Sequence, residues 1–153
     1  MANTYTQIYL HLVFAVKNRA CLIPREHRIE LQKYITGVIT NKKNKLLAIE
    51  NEPDHIHILI ALRPDTSVSD LVRDIKSNSS RWINEQEWKQ SEFRWQEGFG
   101  AFSCSRSQLS PLIAYIQNQE EHHKKKTFRE EYIALLEAFG IEYDPRYLFD
   151  FLE

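Results

Sequence analysis

Four side chains have the types and spacing to do chemistry together. His55 and His57 lie in the run Asp54-His55-Ile56-His57-Ile58-Leu59-Ile60, and Tyr115 and Gln119 in Leu112-Ile113-Ala114-Tyr115-Ile116-Gln117-Asn118-Gln119. Residues two apart in a strand point to one face, and residues four apart in a helix stack along one side, so each pair projects as a unit from its own element. Two imidazoles held this way can share one divalent ion. A phenol, with an ordinary pKa of about 10, is a weak nucleophile that needs a nearby cation and an electrophile aligned for attack, and such an ion supplies both. If the two pairs converge, they form a metal site facing a tyrosine nucleophile, a combination suited to cutting nucleic acid.

Each pair also has an ordinary explanation. An isolated His-x-His is more often two exposed or internally bonded histidines. A helical tyrosine is most often a core or interface aromatic, and a glutamine a solvated residue. Context favours the site. Ile56, Ile58 and Ile60 take the opposite face of the run and leave His55 and His57 together, while His122 continues the stripe of Tyr115 and Gln119. Other metallohydrolase patterns are absent. Leu59 stands where a third alternating histidine would be, no His-x-His-x-Asp-His is present, and there is no pair of His-x-Ser/Thr motifs. A glutamine carbonyl and a phosphate are hard oxygen donors that suit Mg²⁺ or Mn²⁺ better than zinc, which the histidines also admit.

The elements that must position these residues follow from periodicity. Gln7 to Val16 alternates as a strand. Glu26 to Asn41, after Pro24, reads as an amphipathic helix. Leu46 to Glu50 and His55 to Leu62 read as two strands joined by the turn Asn51-Glu52-Pro53-Asp54. Pro64-Asp65-Thr66-Ser67 starts a second helix whose stripe runs toward Trp88. A fourth strand is expected near Gly98 to Ser105, and a third helix capped by Ser107 runs to about His123. Thr127 to Phe139 reads as a final helix closed by Gly140. The order strand, helix, strand, strand, helix, strand predicts an α+β, ferredoxin-like βαββαβ fold, a four-stranded antiparallel sheet with helices on one face, followed by a C-terminal helix and tail. The aromatic tail, residues 143–153, suits packing on a partner subunit.

Bulk properties bound the reading. A chain of 153 residues, 42% hydrophobic, with four glycines and no linker, is expected to form one domain over 1–153. The start, Met1-Ala2-Asn3-Thr4-Tyr5, lacks a basic stretch followed by an apolar core, and no apolar run approaches the ~20 residues needed to cross a bilayer. A soluble, cytoplasmic protein with no membrane partner is expected. Cys21 and Cys104 are far apart, with no CxxC, and are read as reduced. Net charge is −1, but residues 1–48 carry eight basic against two acidic groups and residues 127–153 carry two against seven. Phosphate attraction needs a local positive surface and not a positive total.

Taken together, the chain resembles the small insertion-sequence transposases of the HUH superfamily that use a single tyrosine, the IS200-like family, with the repeat-associated tyrosine transposases close by. The resemblance rests on Asp54-His55-Ile56-His57, on Tyr115 to Gln119, and on Trp95-Gln96-Glu97-Gly98-Phe99-Gly100-Ala101-Phe102-Ser103. His11-Leu12-Val13-Phe14, Lys17-Asn18-Arg19 and Thr127-Phe128-Arg129-Glu130-Glu131 add to it, so that it spans nearly the whole chain. It implies that His55, His57 and Gln119 bind the metal and that Tyr115 is the nucleophile. It further implies cleavage and rejoining of single-stranded DNA through a 5′-phosphotyrosine, recognition of DNA hairpins at element ends, and a homodimer. DNA contacts are expected from Lys17, Arg19, Lys42, Lys43, Lys45 and Arg73. Two competing readings are a non-catalytic nucleic-acid-binding module, since ferredoxin-like sheets also present aromatics for base stacking, and a phosphodiesterase in which water attacks.

Overall fold

The computed structural model describes residues 3–152; Met1 and Ala2 of the N-terminal stretch and Glu153 of the tail lie outside the described residues. The first strand, β1, spans Tyr9–Ala15. A helical turn at Arg25–His27 leads into α1, Arg28–Asn41, which closes with Lys43 in the left-handed region at φ 62°. Strands β2, Lys45–Glu52, and β3, His55–Ala61, form a hairpin through Pro53 and Asp54. Helix α2, Val68–Asn84, begins where expected, with Ser67 Oγ accepting from the Asp70 backbone N–H at 3.3 Å. It stops short of Trp88, and the Asn84 side chain instead exchanges two hydrogen bonds with the Phe93 backbone. Strand β4 is Gly100–Cys104.

The strands are all antiparallel in the order β2-β3-β1-β4, the ferredoxin-like order. β2 carries a bulge at Leu47, where the register shifts between Leu46 and Ala48. On one face, Leu12 and Phe14 of β1 and Ile56, Ile58 and Ile60 of β3 pack under α1 and α2 with Leu31, Ile35, Leu71 and Ile75, all nearly inaccessible to water. These two helices are the pair that the βαββαβ order places on one side of the sheet.

The other face is covered as well. Here β1 presents His11 and Val13, β3 presents His55, His57 and Leu59, and β4 presents Gly100 and Phe102. The expected third helix is corrected in two respects. Its cap is Ser105, whose backbone N–H donates to Gln108 Oε1 at 2.9 Å, and not Ser107. It is also interrupted: α3, Leu109–Gln117, ends at Asn118 (φ −104°, ψ 26°), and the short α4, Gln119–His122, follows. Ile116 of α3 packs on Leu59 and Ala48. Helix α5, Phe128–Ala138, has a capping box in which Thr127 Oγ1 accepts from the Glu130 N–H and the Glu130 carboxylate accepts from the Thr127 N–H. The tail packs on its own chain, with Phe149 buried against Phe128 and Tyr132. Asp150 and Gln96 exchange two hydrogen bonds, at 2.7 and 2.8 Å.

Gly100 lets α5 come down onto the sheet, because a Cβ there would lie 2.8 Å from the Tyr132 ring and 2.9 Å from Phe102. Both rings are buried, so Gly100→Ala forces a shift in a packed layer. We expect it to cost about 1–3 kcal/mol, read as a lower urea midpoint at unchanged slope.

Candidate functional site

Strand alternation and the cover from α3 to α5 bring the four sequence-selected residues to one place. His55, His57 and Gln119 are fully buried, and the Tyr115 hydroxyl is directed at the same centre. Helix α3 and the turn at Asn118 set the spacing of Tyr115 and Gln119. Despite the interruption, both reach one acceptor, Glu131 of α5, which takes a hydrogen bond from the Tyr115 hydroxyl and one from Gln119 Nε2 at 3.2 Å. Tyr115 is edge-on to His57 at 6.3 Å between centroids, and His122 lies on it at 4.4 Å.

Three further residues belong to the centre. Glu131 is 3% exposed, and its Oε1 lies 2.9 Å from His57 Nε2, 3.3 Å from His123 Nε2 and 3.6 Å from His55 Nε2. His123 Nε2 is also 3.0 Å from Gln119 Oε1. His11, buried on β1, bonds His57 Nδ1 through its Nε2 at 2.7 Å. None of the three was selected from spacing: Glu131 and His11 sit 74 and 46 residues from the His57 they bond, and His123, four residues after Gln119, carried a helical spacing that went unread. His11 and Glu131 lie in stretches that carry the family resemblance, His11-Leu12-Val13-Phe14 and Thr127 to Glu131, but their place beside His57 follows only from the strand register and the return of α5.

The donors fit a metal. His55, His57, His123 and Glu131 each offer an atom within 4.8 Å of the others, and Gln119 Oε1 stands 3.4 Å from His55 Nε2. Both strand histidines turn Nε2 inward because the protein holds Nδ1 from behind, through Asp54 Oδ1 at 2.7 Å for His55 and through His11 for His57. Such partners set the ring orientation and the basicity of a ligating imidazole. An ion on Nε2 of His57 leaves its proton on Nδ1, where it can donate to His11.

The charge states suit that use. Burial, reinforced by the neighbouring His57, brings His11 down to about 3, and burial likewise lowers His57, so both rings are neutral at pH 7. For Glu131, burial alone would favour protonation, but hydrogen bonds from His123 and His57 outweigh it and hold the carboxyl below its usual range. His123 is raised, its burial being outweighed by the bond to Glu131. Tyr115 is pushed above its ordinary value by burial first and then by the Glu131 charge. The phenol is therefore protonated here and needs added positive charge to become reactive.

The expected DNA-contact residues divide by position. Lys17 and Arg19 follow β1 at the end of the sheet where Ala15 pairs with His55. Arg19 lines a cavity of about 450 Å³ shared with Arg25, Asp54, His123, Phe128 and Arg129, beside the centre. Lys42, Lys43 and Lys45 lie at the opposite end, because β2 runs from Lys45, paired with Ala61, to Glu52, paired with His55, roughly 20 Å at the strand rise. Lys42 pairs with Asp74, and Arg73 on α2 with Asp70. Arg25 and Arg129 were not among the expected DNA contacts, although Arg129 lies in the Thr127 to Glu131 stretch that carries the family resemblance.

The sequence matches the family described as transposase IS200-like over residues 4–119. The ISDra2 transposase TnpA of Deinococcus radiodurans is 22% identical over 122 residues, 75% of this chain and 86% of that protein. The transposase for insertion sequence element IS200 of Salmonella typhimurium is 28% identical over 130 residues, 81% of this chain and 84% of that one. Among solved structures, a REP-associated tyrosine transposase bound to a REP hairpin superimposes with a TM-score of 0.61 at 17% identity, covering 80% of this chain and 73% of the other. That likeness is one of fold.

Metal binding is measurable without substrate. Mn²⁺ added to chelator-stripped protein should raise its melting temperature, since a ligand of the folded state alone adds about 2.7 kcal/mol at a hundredfold excess over Kd. His55→Ala and His57→Ala should each abolish the rise, and an undiminished rise in both would place the ion elsewhere.

Proposed function

The chain belongs to the IS200-like transposase family, and from that premise we propose that it cuts and rejoins single-stranded DNA with Tyr115 as nucleophile and a divalent ion, Mg²⁺ or Mn²⁺, held by His55, His57 and Gln119. The observation that carries this reading is the convergence of a tyrosine hydroxyl, a glutamine and two inward-facing imidazoles on one buried carboxylate. When bound, the ion polarises the scissile phosphate and offsets the charge that develops on it. The Tyr115 oxygen forms a bond to phosphorus and the bond from phosphorus to the 3′ oxygen breaks. The phenolic proton is balanced by the proton gained at the leaving 3′ oxygen. A 5′-phosphotyrosine and a free 3′ hydroxyl result, and a second 3′ hydroxyl reverses the step. No external energy source is required, because one phosphodiester is exchanged for another.

The substrate in this reading is single-stranded DNA carrying hairpins at element ends, handled in the cytoplasm by a homodimer. Two observations support an approach path for a phosphodiester. The cavity beside His123 has Arg19, Arg25 and Arg129 on its wall, and Lys124, Lys125 and Lys126 follow α4 on an exposed turn. No helix among the described residues is long and apolar enough to cross a membrane.

The test is a covalent adduct. Incubation with a hairpin-bearing single strand and Mg²⁺ or Mn²⁺ should give protein–DNA species that survive denaturing electrophoresis. Tyr115→Phe should abolish them, and His57→Ala should reduce them about 100-fold or more. An undiminished adduct in either variant would sink the assignment. Cut DNA without adduct would make water the nucleophile.

A further inference from the structure

Glu131 is central to the site yet lies beyond the family match, which ends at Gln119, twelve residues before it. Helix α5 delivers it. The Thr127–Glu130 capping box fixes the first turn, Phe128 stacks on the His55 ring at 3.9 Å and 6°, and Tyr132 is wedged over Gly100. With neighbours on both sides locked, Glu131 is aimed at the sheet.

Its two oxygens have different partners. Oε1 faces the imidazoles, 2.9 Å from His57 Nε2 and 3.6 Å from His55 Nε2. Oε2 accepts from the Tyr115 hydroxyl and from Gln119 Nε2. A carboxylate can serve both sides because it has two equivalent acceptor oxygens, whereas an amide of the same shape has one. The Tyr115 ring is already placed by His57 and His122, so what Glu131 adds is the direction of the hydroxyl.

We propose that Glu131 is a bridging residue: Oε1 joins His55 and His57 in holding the divalent ion, and Oε2 positions the Tyr115 hydroxyl of the same chain against that ion. Nucleophile and cation are thereby set relative to one another by a single rigid group. The inference rests on the reading of Tyr115 as nucleophile and of the histidines as ligands. It adds a fourth protein group to the ion and a positioning residue to the tyrosine.

The experiment compares wild type, Glu131→Gln, Glu131→Asp and Tyr115→Phe in two measurements: Mn²⁺ affinity by calorimetry without DNA, and the rate of adduct formation on a hairpin-bearing single strand at saturating Mn²⁺. Glu131→Gln should weaken Mn²⁺ binding about tenfold or more. At saturating Mn²⁺ it should still slow adduct formation about 100-fold, with the KM for DNA unchanged, because the hydroxyl is no longer aligned. Glu131→Asp keeps the charge and both oxygens but withdraws them by one methylene. It should bind Mn²⁺ within a few-fold of wild type and lose most of the adduct rate, and it carries the test if the glutamine variant does not fold. Tyr115→Phe should bind Mn²⁺ as wild type does. Wild-type affinity together with wild-type adduct rate in the Glu131 variants would overturn the bridging role and leave Tyr115 as nucleophile. Failure of the wild type itself to form an adduct would overturn the reading beneath it.

Discussion

Strand β3 is covered on both sides, and every polar group on it must therefore find its partner inside the protein. On the side of α1 and α2 this is simple, since Ile56, Ile58 and Ile60 meet only other apolar groups. On the other side, two fully buried imidazoles would each leave unpaired nitrogens at a cost of about 1–3 kcal/mol per group. The remaining elements are arranged to meet that demand. β1 supplies His11, the β2–β3 turn supplies Asp54, and the chain beyond β4 supplies Gln119 and Glu131. The site is thus a condition of closing the second face.

The same closure sets the electrostatics. Burial holds His11 and His57 neutral and hydrogen bonds hold Glu131 ionised, so an incoming ion meets a buried carboxylate beside neutral imidazole nitrogen. A divalent cation bound beside this carboxylate would offset its charge and leave positive charge for a phosphate oxygen. It would also oppose the two influences, burial and the carboxylate, that keep the Tyr115 phenol protonated. The groups that make the tyrosine unreactive in isolation are those that place the cation able to activate it.

Local periodicity carried the sheet and its two covering helices, because strands and amphipathic helices repeat within a few residues. The His55–His57 and Tyr115–Gln119 pairs were legible for the same reason: each is internal to one element. Glu131 and His11 were not, since their roles depend on which strand lies beside which and on how α5 returns to the sheet. The interruption at Asn118 left no mark either, as Tyr115, Gln119 and His122 keep helical spacing across it. Charge was the poorest guide to place. Lys42, Lys43 and Lys45 cluster in sequence but fall at the end of β2 remote from His55, and nothing in a run of lysines tells which end of a strand it will occupy. The aromatic tail announced burial, but burial on α5 of its own chain is set by contacts far away in sequence.

The paired bonds between Gln96 and Asp150 join positions 54 residues apart, just ahead of β4 and just past Phe149. Phe149 bears on Phe128 and Tyr132, which flank Glu131 on its helix. The anchor at residue 150 is therefore joined, through Phe149 and the two rings it touches, to the helix turn that carries the carboxylate at the centre. In mechanical terms, the tail is a strut for the reacting groups.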